Sequence, residues 1–318
     1  MTKIRRGDLI PAMGFLMPNF LGFLVFTAGP LIYSLIMSFS NWSLIRSVPF
    51  HWHGLTNFAD LFGDFNFHMY FANTVYLMLG IPLSIAGSLA VAILLSQKLK
   101  GLTIYRTLFY LPSFTSGVAL MILWKALYNP DHGPIDYVIN SFNHFAGISA
   151  HAPDWLLSTK NLLGLDVERV GFNPKQFGLG ARDAMIIMGV WTGIGGNNML
   201  LYLAALTNVP PELYEAAELD GASKWDCFRH VTWPQLAPTT FFITVMSVIG
   251  GFQSGFDTAR IMTQGGPAGT TTSMSYYIYQ KAFEQFQMGY ASAVSWVLFL
   301  IIFTMTVINW KLGNKEAE

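Results

Sequence analysis

Charge is scarce in this sequence: Asp, Glu, Lys and Arg make up 11% of its 318 residues, against about 25% in soluble domains. With 53% hydrophobic residues, a water-soluble fold of this size is excluded, because too little polar surface remains to cover it. Neither sign of charge dominates, with 18 basic and 18 acidic residues. No basic patch stands out, and that argues against nucleic acid as a partner. The lone cysteine, Cys227, excludes an internal disulfide and a thiolate metal cluster. No G-x-x-x-x-G-K-[ST] occurs, so ATP is not bound here through a P-loop. The seven histidines make no H-E-x-x-H, and no G-x-S-x-G elbow is present. His51-Trp52-His53 is an i, i+2 pair that suits either a metal contact on a strand or an aromatic-rich interfacial loop.

The apolar residues fall into six long runs, at roughly 9–39, 71–96, 108–128, 184–206, 240–262 and 290–310. About 20 such residues span a bilayer, so the pattern predicts an all-α integral membrane protein of about six transmembrane helices, one membrane domain without tandem repeats. The first run is too long for a signal h-region and reads as a retained helix. The first, second, fourth and sixth runs carry no charge in their interiors. Lys125 lies near the outer end of the third, and Asp257 and Arg260 lie at i, i+3 in the outer part of the fifth. Proton- or sodium-coupled carriers ordinarily need buried ionisable groups. Their scarcity argues against a stand-alone secondary carrier, and the missing catalytic set argues against a membrane enzyme.

Basic residues concentrate in cytoplasmic loops. With the N-terminus inside, the inner segments hold Lys3, Arg5, Arg6, Lys98, Lys100, Arg106, Lys224, Arg229, Lys311 and Lys315. The outer segments, nearly twice as long, hold only Arg46, Lys160, Arg169, Lys175, Arg182 and Lys281. Both termini are thus expected in the cytoplasm and 129–183 outside. That outer stretch opens with Asn129-Pro130-Asp131 and Gly133-Pro134 turn chemistry. It continues into a short helix over 135–145, with Ile135, Val138, Ile139 and Phe142 on one face. From 158 to 180 the pattern is too weak to assign. Gly265-Gly266-Pro267 predicts a turn after the fifth helix.

The inner segment between helices four and five, 210–238, carries the strongest local signals. Pro211 suits a first helical turn, Glu212 and Glu215 favour its dipole, and Gly221 suits a C-cap. Ser223-Lys224-Trp225-Asp226 reads as a capping box with Asp in the acidic place. A second short helix is expected to run to about Val231, ended by Trp233-Pro234. Leu213, Ala216, Ala217 and Leu219 give the first helix a small, smooth apolar surface.

Glu215-Ala216-Ala217, three residues, Gly221, nine residues and Val231-Thr232-Trp233-Pro234 resemble the EAA loop of binding-protein-dependent permeases. Val231 and Trp233 stand where that family has Ile and Leu, so the tail departs while the core fits. Leu203-Ala204-Ala205-Leu206, Pro210, Asp220-Gly221-Ala222-Ser223 and Thr263-Gln264-Gly265-Gly266-Pro267 resemble the family's carbohydrate branch. The likeness covers about 10–312, but 150–182 is longer than usual for the branch. The resemblance implies a type I importer-like membrane domain over 1–318, in the bacterial inner membrane. It implies that Glu215, Ala216, Ala217, Asp220 and Gly221 form the coupling helix, seated in a cleft of a cytoplasmic ATPase. The implied partners are a second permease subunit in a heterodimer, two ATPase subunits that hold the ATP and magnesium, an extracytoplasmic substrate-binding protein and a sugar. No cofactor is expected in this chain. The competing reading is an ordinary interfacial amphipathic turn.

Two further stretches match each other in character: Trp191-Thr192-Gly193-Ile194-Gly195-Gly196-Asn197-Asn198 and Gly250-Gly251-Phe252-Gln253-Ser254-Gly255-Phe256-Asp257. Amides bond sugar hydroxyls and rings stack on the apolar sugar face. Asn197, Asn198, Gln253 and Phe252, with Trp191, Tyr202 and Asp257, are therefore candidate substrate contacts. The matching helices line the sugar site in the permeases this chain resembles. The competing reading is helix packing through small residues, with the amides as interhelical glue. No buried basic cluster is evident, which favours a neutral sugar or oligosaccharide. Arg260 leaves room for an anionic sugar or a glycerol phosphate.

Overall fold

The computed structural model describes residues 6–45, 47–97, 100–149, 151–166 and 171–315. Lys3, Arg5, Arg46, Lys98 and Arg169, counted above for orientation, lie outside them. Among the described residues no strand forms, only three isolated bridges. Five helices are long and apolar enough to cross a membrane. These are α1 (Met13–Met37, in a helix that begins at Arg6), α3 (Phe65–Ser96), the joint span Ala181–Thr207, α10 (Lys224–Gln253) and the last, Met288–Lys311. A sixth span is split into α4 (Leu102–Phe114) and α5 (Gly117–Leu127), bent by 96°. The shorter helices are α2 (Thr56–Gly63), α6 (Pro134–Phe145), α9 (Pro211–Leu219) and α11 (Met274–Tyr279). The joint span comprises α7 (Ala181–Ile194) and α8 (Asn197–Thr207), and the last helix is α12 (Met288–Lys315). The chain is an all-α integral membrane protein.

Two of the expected spans are corrected, and a third, 184–206, keeps its place within the span Ala181–Thr207 but carries a break. The run 108–128 is not one helix: Pro112 withholds a backbone donor, and Thr115 and Ser116 turn extended and separate α4 from α5. The run 184–206 breaks at Gly195-Gly196. The fifth run starts earlier and stops sooner than 240–262. It begins at Lys224 and ends at Gln253, where Ser254 is extended and Gly255 takes φ +92°. The expected stop at Trp233-Pro234 does not occur. A π-turn over Phe228–Thr232 lets the Trp233 N–H reach back to the Phe228 carbonyl. Pro234 then stands in the first turn of the helical stretch that follows, where its missing N–H costs little.

The chain divides into two compact units. One is Met1–Asp64 with Ile278–Leu300. In it Trp296 Nε1 donates to Ser34 Oγ at 3.2 Å, and Asn57 Nδ2 donates to the Ser38 and Ser40 carbonyls, each at 2.8 Å. His51 and His53 face each other here, with 2.7 Å between their Nε2 atoms. No group of three His, Cys, Asp or Glu suited to a metal is found among the described residues.

The other unit is Phe65–Tyr277 with Ile301–Glu318. Its centre is a small-residue stripe on α3. Gly80, Ser84, Gly87 and Ser88 bring α3 against Ile186, Val190, Gly193 and Ile194 of α7. Close approach of this kind holds membrane helices together where apolar burial alone cannot. Below it, Leu89, Ala92 and Leu95 pack with Met199, Tyr202, Leu236 and Ile243. A second cluster joins Leu120, Trp124 and Tyr128 to Trp155, Ala184, Met185 and Met188. The expected turn at Gly265-Gly266 forms, with the Gly265 and Gly266 N–H groups donating to the Ala259 and Thr263 carbonyls.

Candidate functional site

The EAA-type segment forms the elbow its sequence predicts. Pro211 opens α9. At its end the Gly221 N–H donates to the Glu218 carbonyl at 3.0 Å and the Ala222 N–H to the Ala217 carbonyl at 2.9 Å. These two bonds make a Schellman cap. Gly221 sits at φ +79°, and a Cβ there would meet nothing within 4 Å. Its requirement for glycine is therefore conformational, not steric. Two residues on, Ser223 Oγ accepts from the Asp226 N–H at 3.3 Å while the Asp226 carboxylate accepts from the Ser223 N–H at 3.0 Å. The capping box starts α10. Tyr214 Oη and Thr232 Oγ1, 3.0 Å apart, tie the two arms together.

The outer surface of this elbow is unoccupied by its own unit. Glu215, Ala216, Asp220 and Gly221 are exposed, and Ala217 is half-buried. Leu219 is 90% exposed, and the Trp225 ring is largely exposed beside Phe228.

The second pair of stretches forms two helix breaks. Irregular backbone within a membrane must bond to protein or line a cavity, and both breaks do the former. At the first, Ser88 Oγ donates to the Gly193 carbonyl at 3.1 Å. A side chain on Gly195 would overlap the Phe109 carbonyl of α4, so that approach requires glycine. At the second, the Ser254 N–H donates to the Gly250 carbonyl at 2.8 Å, and Ser275 Oγ donates to the Ser254 carbonyl at 2.8 Å.

The candidate contacts fall into two groups. Asn197, Gln253, Asp257 and Trp191 are exposed and Asn198 is half-buried. Asn197 Oδ1 accepts from Tyr110 Oη at 3.3 Å, and Trp191 meets the Trp124 ring edge-on at 5.5 Å. Phe252 and Tyr202 are in the core. Phe252 is 1% exposed and stacks on Phe71, while Tyr202 Oη donates to Thr240 Oγ1 at 3.1 Å. Arg260 lies over the Phe256 ring at 5.6 Å.

A cavity of about 240 Å³ lies between α3, α7 and the end of α10. None of the seven candidates lines it, but Ser254 and Gly255, next to Gln253, do. Thr74, Ser84, Ser247, Thr258 and Ser273 supply further hydroxyls, among methionines 78, 185 and 188. The sequence signal for these residues is single small hydroxyls interrupting apolar runs, which is also the signal of helix packing.

One cluster of charge was not expected. Placing the fourth run at 184–206 left Arg182 and Asp183 outside it, but α7 begins at Ala181 and buries both. The Asp183 carboxylate accepts from Tyr76 Oη, from the Gly180 N–H at 3.2 Å and from the Leu162 N–H at 3.4 Å. Arg182 donates to the Leu165 carbonyl at 3.2 Å and to Asn73 Oδ1 at 3.4 Å, with its guanidinium 4.7 Å over the Tyr76 ring.

The chain is similar to known proteins along nearly all of its length. The model of the binding-protein-dependent transport system inner membrane component matches residues 10–310. The probable ABC transporter permease protein YesP of Bacillus subtilis (strain 168) is 36% identical over 97% of this chain and 92% of its own. The arabinooligosaccharides transport system permease protein AraP of Halalkalibacterium halodurans is 30% identical over 91% of this chain and 83% of its own. In fold, a bacterial ABC transporter involved in the import of the acidic polysaccharide alginate superposes with a TM-score of 0.75 at 22% identity, over 98% of this chain and 96% of that one. A match this nearly end to end, on a chain with an EAA-type elbow between its membrane helices, means that the protein belongs to the family of binding-protein-dependent transport system inner membrane components.

Proposed function

We propose that this chain is the permease subunit of an ATP-driven importer, and that it moves a sugar or oligosaccharide delivered by an extracytoplasmic substrate-binding protein. The observation that carries the ATP-driven reading is the capped, exposed elbow at 211–226. Glu215, Ala216, Ala217, Asp220 and Gly221 are its coupling residues. A separate ATPase, present twice, binds the ATP and magnesium, and a second, non-identical permease subunit completes the pathway. Both termini are cytoplasmic, and 129–183 faces the exterior and helps to dock the binding protein. A cysteine at the exposed Leu157, in a Cys227→Ser background, is expected to react with an impermeant thiol reagent in cells with a permeabilised outer layer. Labelling only after lysis would overturn this orientation.

The sugar reading is supported by AraP, whose name specifies arabinooligosaccharides, and by the chemistry of the two helix breaks. The alginate transporter, at 22% identity, bears on the fold alone. In this reading the exposed amides Asn197 and Gln253, with Asn198, Trp191 and Asp257, meet the substrate. Phe252 and Tyr202 hold the two breaks from behind. A neutral sugar suits this set better than an anionic sugar or glycerol phosphate, for which Arg260 is the one nearby cation among the described residues of the two breaks. A lost hydrogen bond costs about 0.5–1.5 kcal/mol, so Asn197→Ala and Gln253→Ala are each expected to raise the half-saturating substrate concentration several-fold. Assembly and basal ATP hydrolysis should be unchanged. Unaltered concentration dependence in both variants would show that the amides are packing groups.

A further inference from the structure

Helix α6 forms where the sequence expects it, and its apolar face is only partly covered. The sequence places Ile135, Val138, Ile139 and Phe142 together, but only Ile135 and Ile139 pack inward, joined by the buried Asp136. Val138 is 63% exposed and Phe145 is 90% exposed, with Phe142 exposed between them. At 100° per residue, Phe142, Val138, Phe145 and Pro134 form one continuous apolar flank. Asn140 and His144 lie on the opposite flank, also exposed. The helix thus has three sides: one bound to protein, one apolar and open, one polar and open.

The height of α6 follows from what binds it. Asp136 Oδ1 accepts from Trp155 Nε1 at 2.7 Å, and the Trp155 ring lies 5.1 Å from Tyr128. Tyr128 Oη donates to the Ala184 carbonyl at 3.0 Å. Ile135 and Ile139 pack on the same cluster, which holds Ala184, Met185 and Met188. These are the first residues of the span Ala181–Thr207. At 1.5 Å per residue, Met188 is only about 10 Å from the end of that span. The helix therefore lies beside the ends of the membrane helices, at the level of the lipid headgroups. The apolar surface of α5, where Val118, Ile122 and Leu123 are exposed, belongs to the same cluster-bearing element.

We propose that α6 lies in the membrane interface, with Val138, Phe142 and Phe145 inserted among the lipid acyl chains and Asn140 and His144 turned to water. Three arguments select lipid as the occupant. The helix packs beside the first turns of a membrane span, its open apolar flank carries two aromatic rings, and Asn140 and His144 lie on the far flank, with Ser141 at the margin. Interfacial helices have this division, with aromatic residues at the boundary. The proposal also accounts for an amphipathic helix in a loop otherwise built of turns: it pins the loop at a fixed height above the bilayer.

The test uses the full chain in nanodiscs of phosphatidylethanolamine and phosphatidylglycerol, in a Cys227→Ser background. Single cysteines at Val138, Phe145, Asn140 and His144 carry nitroxide labels, and their collision rates with oxygen and with a water-soluble nickel chelate are compared. All four side chains are exposed, so each variant is expected to fold. The oxygen-to-nickel ratio should be several-fold higher at Val138 and Phe145 than at Asn140 and His144. Equal access of nickel to both flanks would overturn the proposal in favour of a water-exposed helix. Shielding of Val138 and Phe145 from both reagents would overturn it in favour of a protein partner on that flank.

Discussion

Gly221→Pro is expected to leave the subunit in the membrane and to abolish ATP-driven uptake. Gly221 has φ +79°, and proline is confined to about −65°. Proline would also remove the N–H that donates to Glu218. Both halves of the Schellman cap are lost, and α9 can no longer meet α10 at its present angle. The cost is about 3 kcal/mol or more, concentrated in a surface elbow and not in the membrane core. Gly221→Ala is the graded control. With open space around a Cβ, alanine suffers only the left-handed backbone, about 1 kcal/mol, and should reduce uptake without ending it. Uptake and substrate-stimulated ATP hydrolysis of the reconstituted complex decide the matter. Normal values in the proline variant would remove the elbow from the coupling path.

The elbow was legible in sequence because its determinants are local. Pro211, Gly221 and the Ser223–Asp226 pair each fix the backbone within four residues, and no distant contact can override them. The membrane spans were legible as apolar runs for the same reason. Their interruptions were less so. Gly195 breaks its helix where the Phe109 carbonyl of another helix approaches, and sequence periodicity carries no information about that neighbour. The passage of α10 through Trp233-Pro234 depends on a π-turn upstream, so the local stop signal was outvoted by the geometry of the preceding turn. The shared face of α6 was legible, but its burial was not: periodicity fixes which residues share a side, and a partner decides which part of that side is covered. The cavity hydroxyls and the buried Arg182 and Asp183 were missed because their partners lie up to 200 residues away.

Asp183→Ala is expected to destabilise the folded chain strongly. The carboxylate is 2% exposed and is the acceptor for three donors on two other parts of the chain: Tyr76 of α3, and Gly180 and Leu162 of the loop that precedes α7. Removing it orphans those donors, each at about 1–3 kcal/mol when buried. It also removes a negative charge that favours the nearby buried guanidinium of Arg182. The damage spreads, because Arg182 holds Asn73, and Asn73 Nδ2 in turn donates to the Gly269 and Thr272 carbonyls at 2.9 and 3.3 Å. The loop before α7, the loop before α11, α3 and α7 are therefore stitched through one carboxylate and one guanidinium. Tyr76→Phe removes a single donor and leaves Asp183 with both N–H groups, so its cost should be about 1 kcal/mol. Heating the detergent-solubilised chain and following the monodisperse fraction by size exclusion should rank wild type above Tyr76→Phe, and Tyr76→Phe well above Asp183→Ala. If Asp183→Ala melts with the wild type, the cluster does not hold the loop before α7, and its burial has another cause.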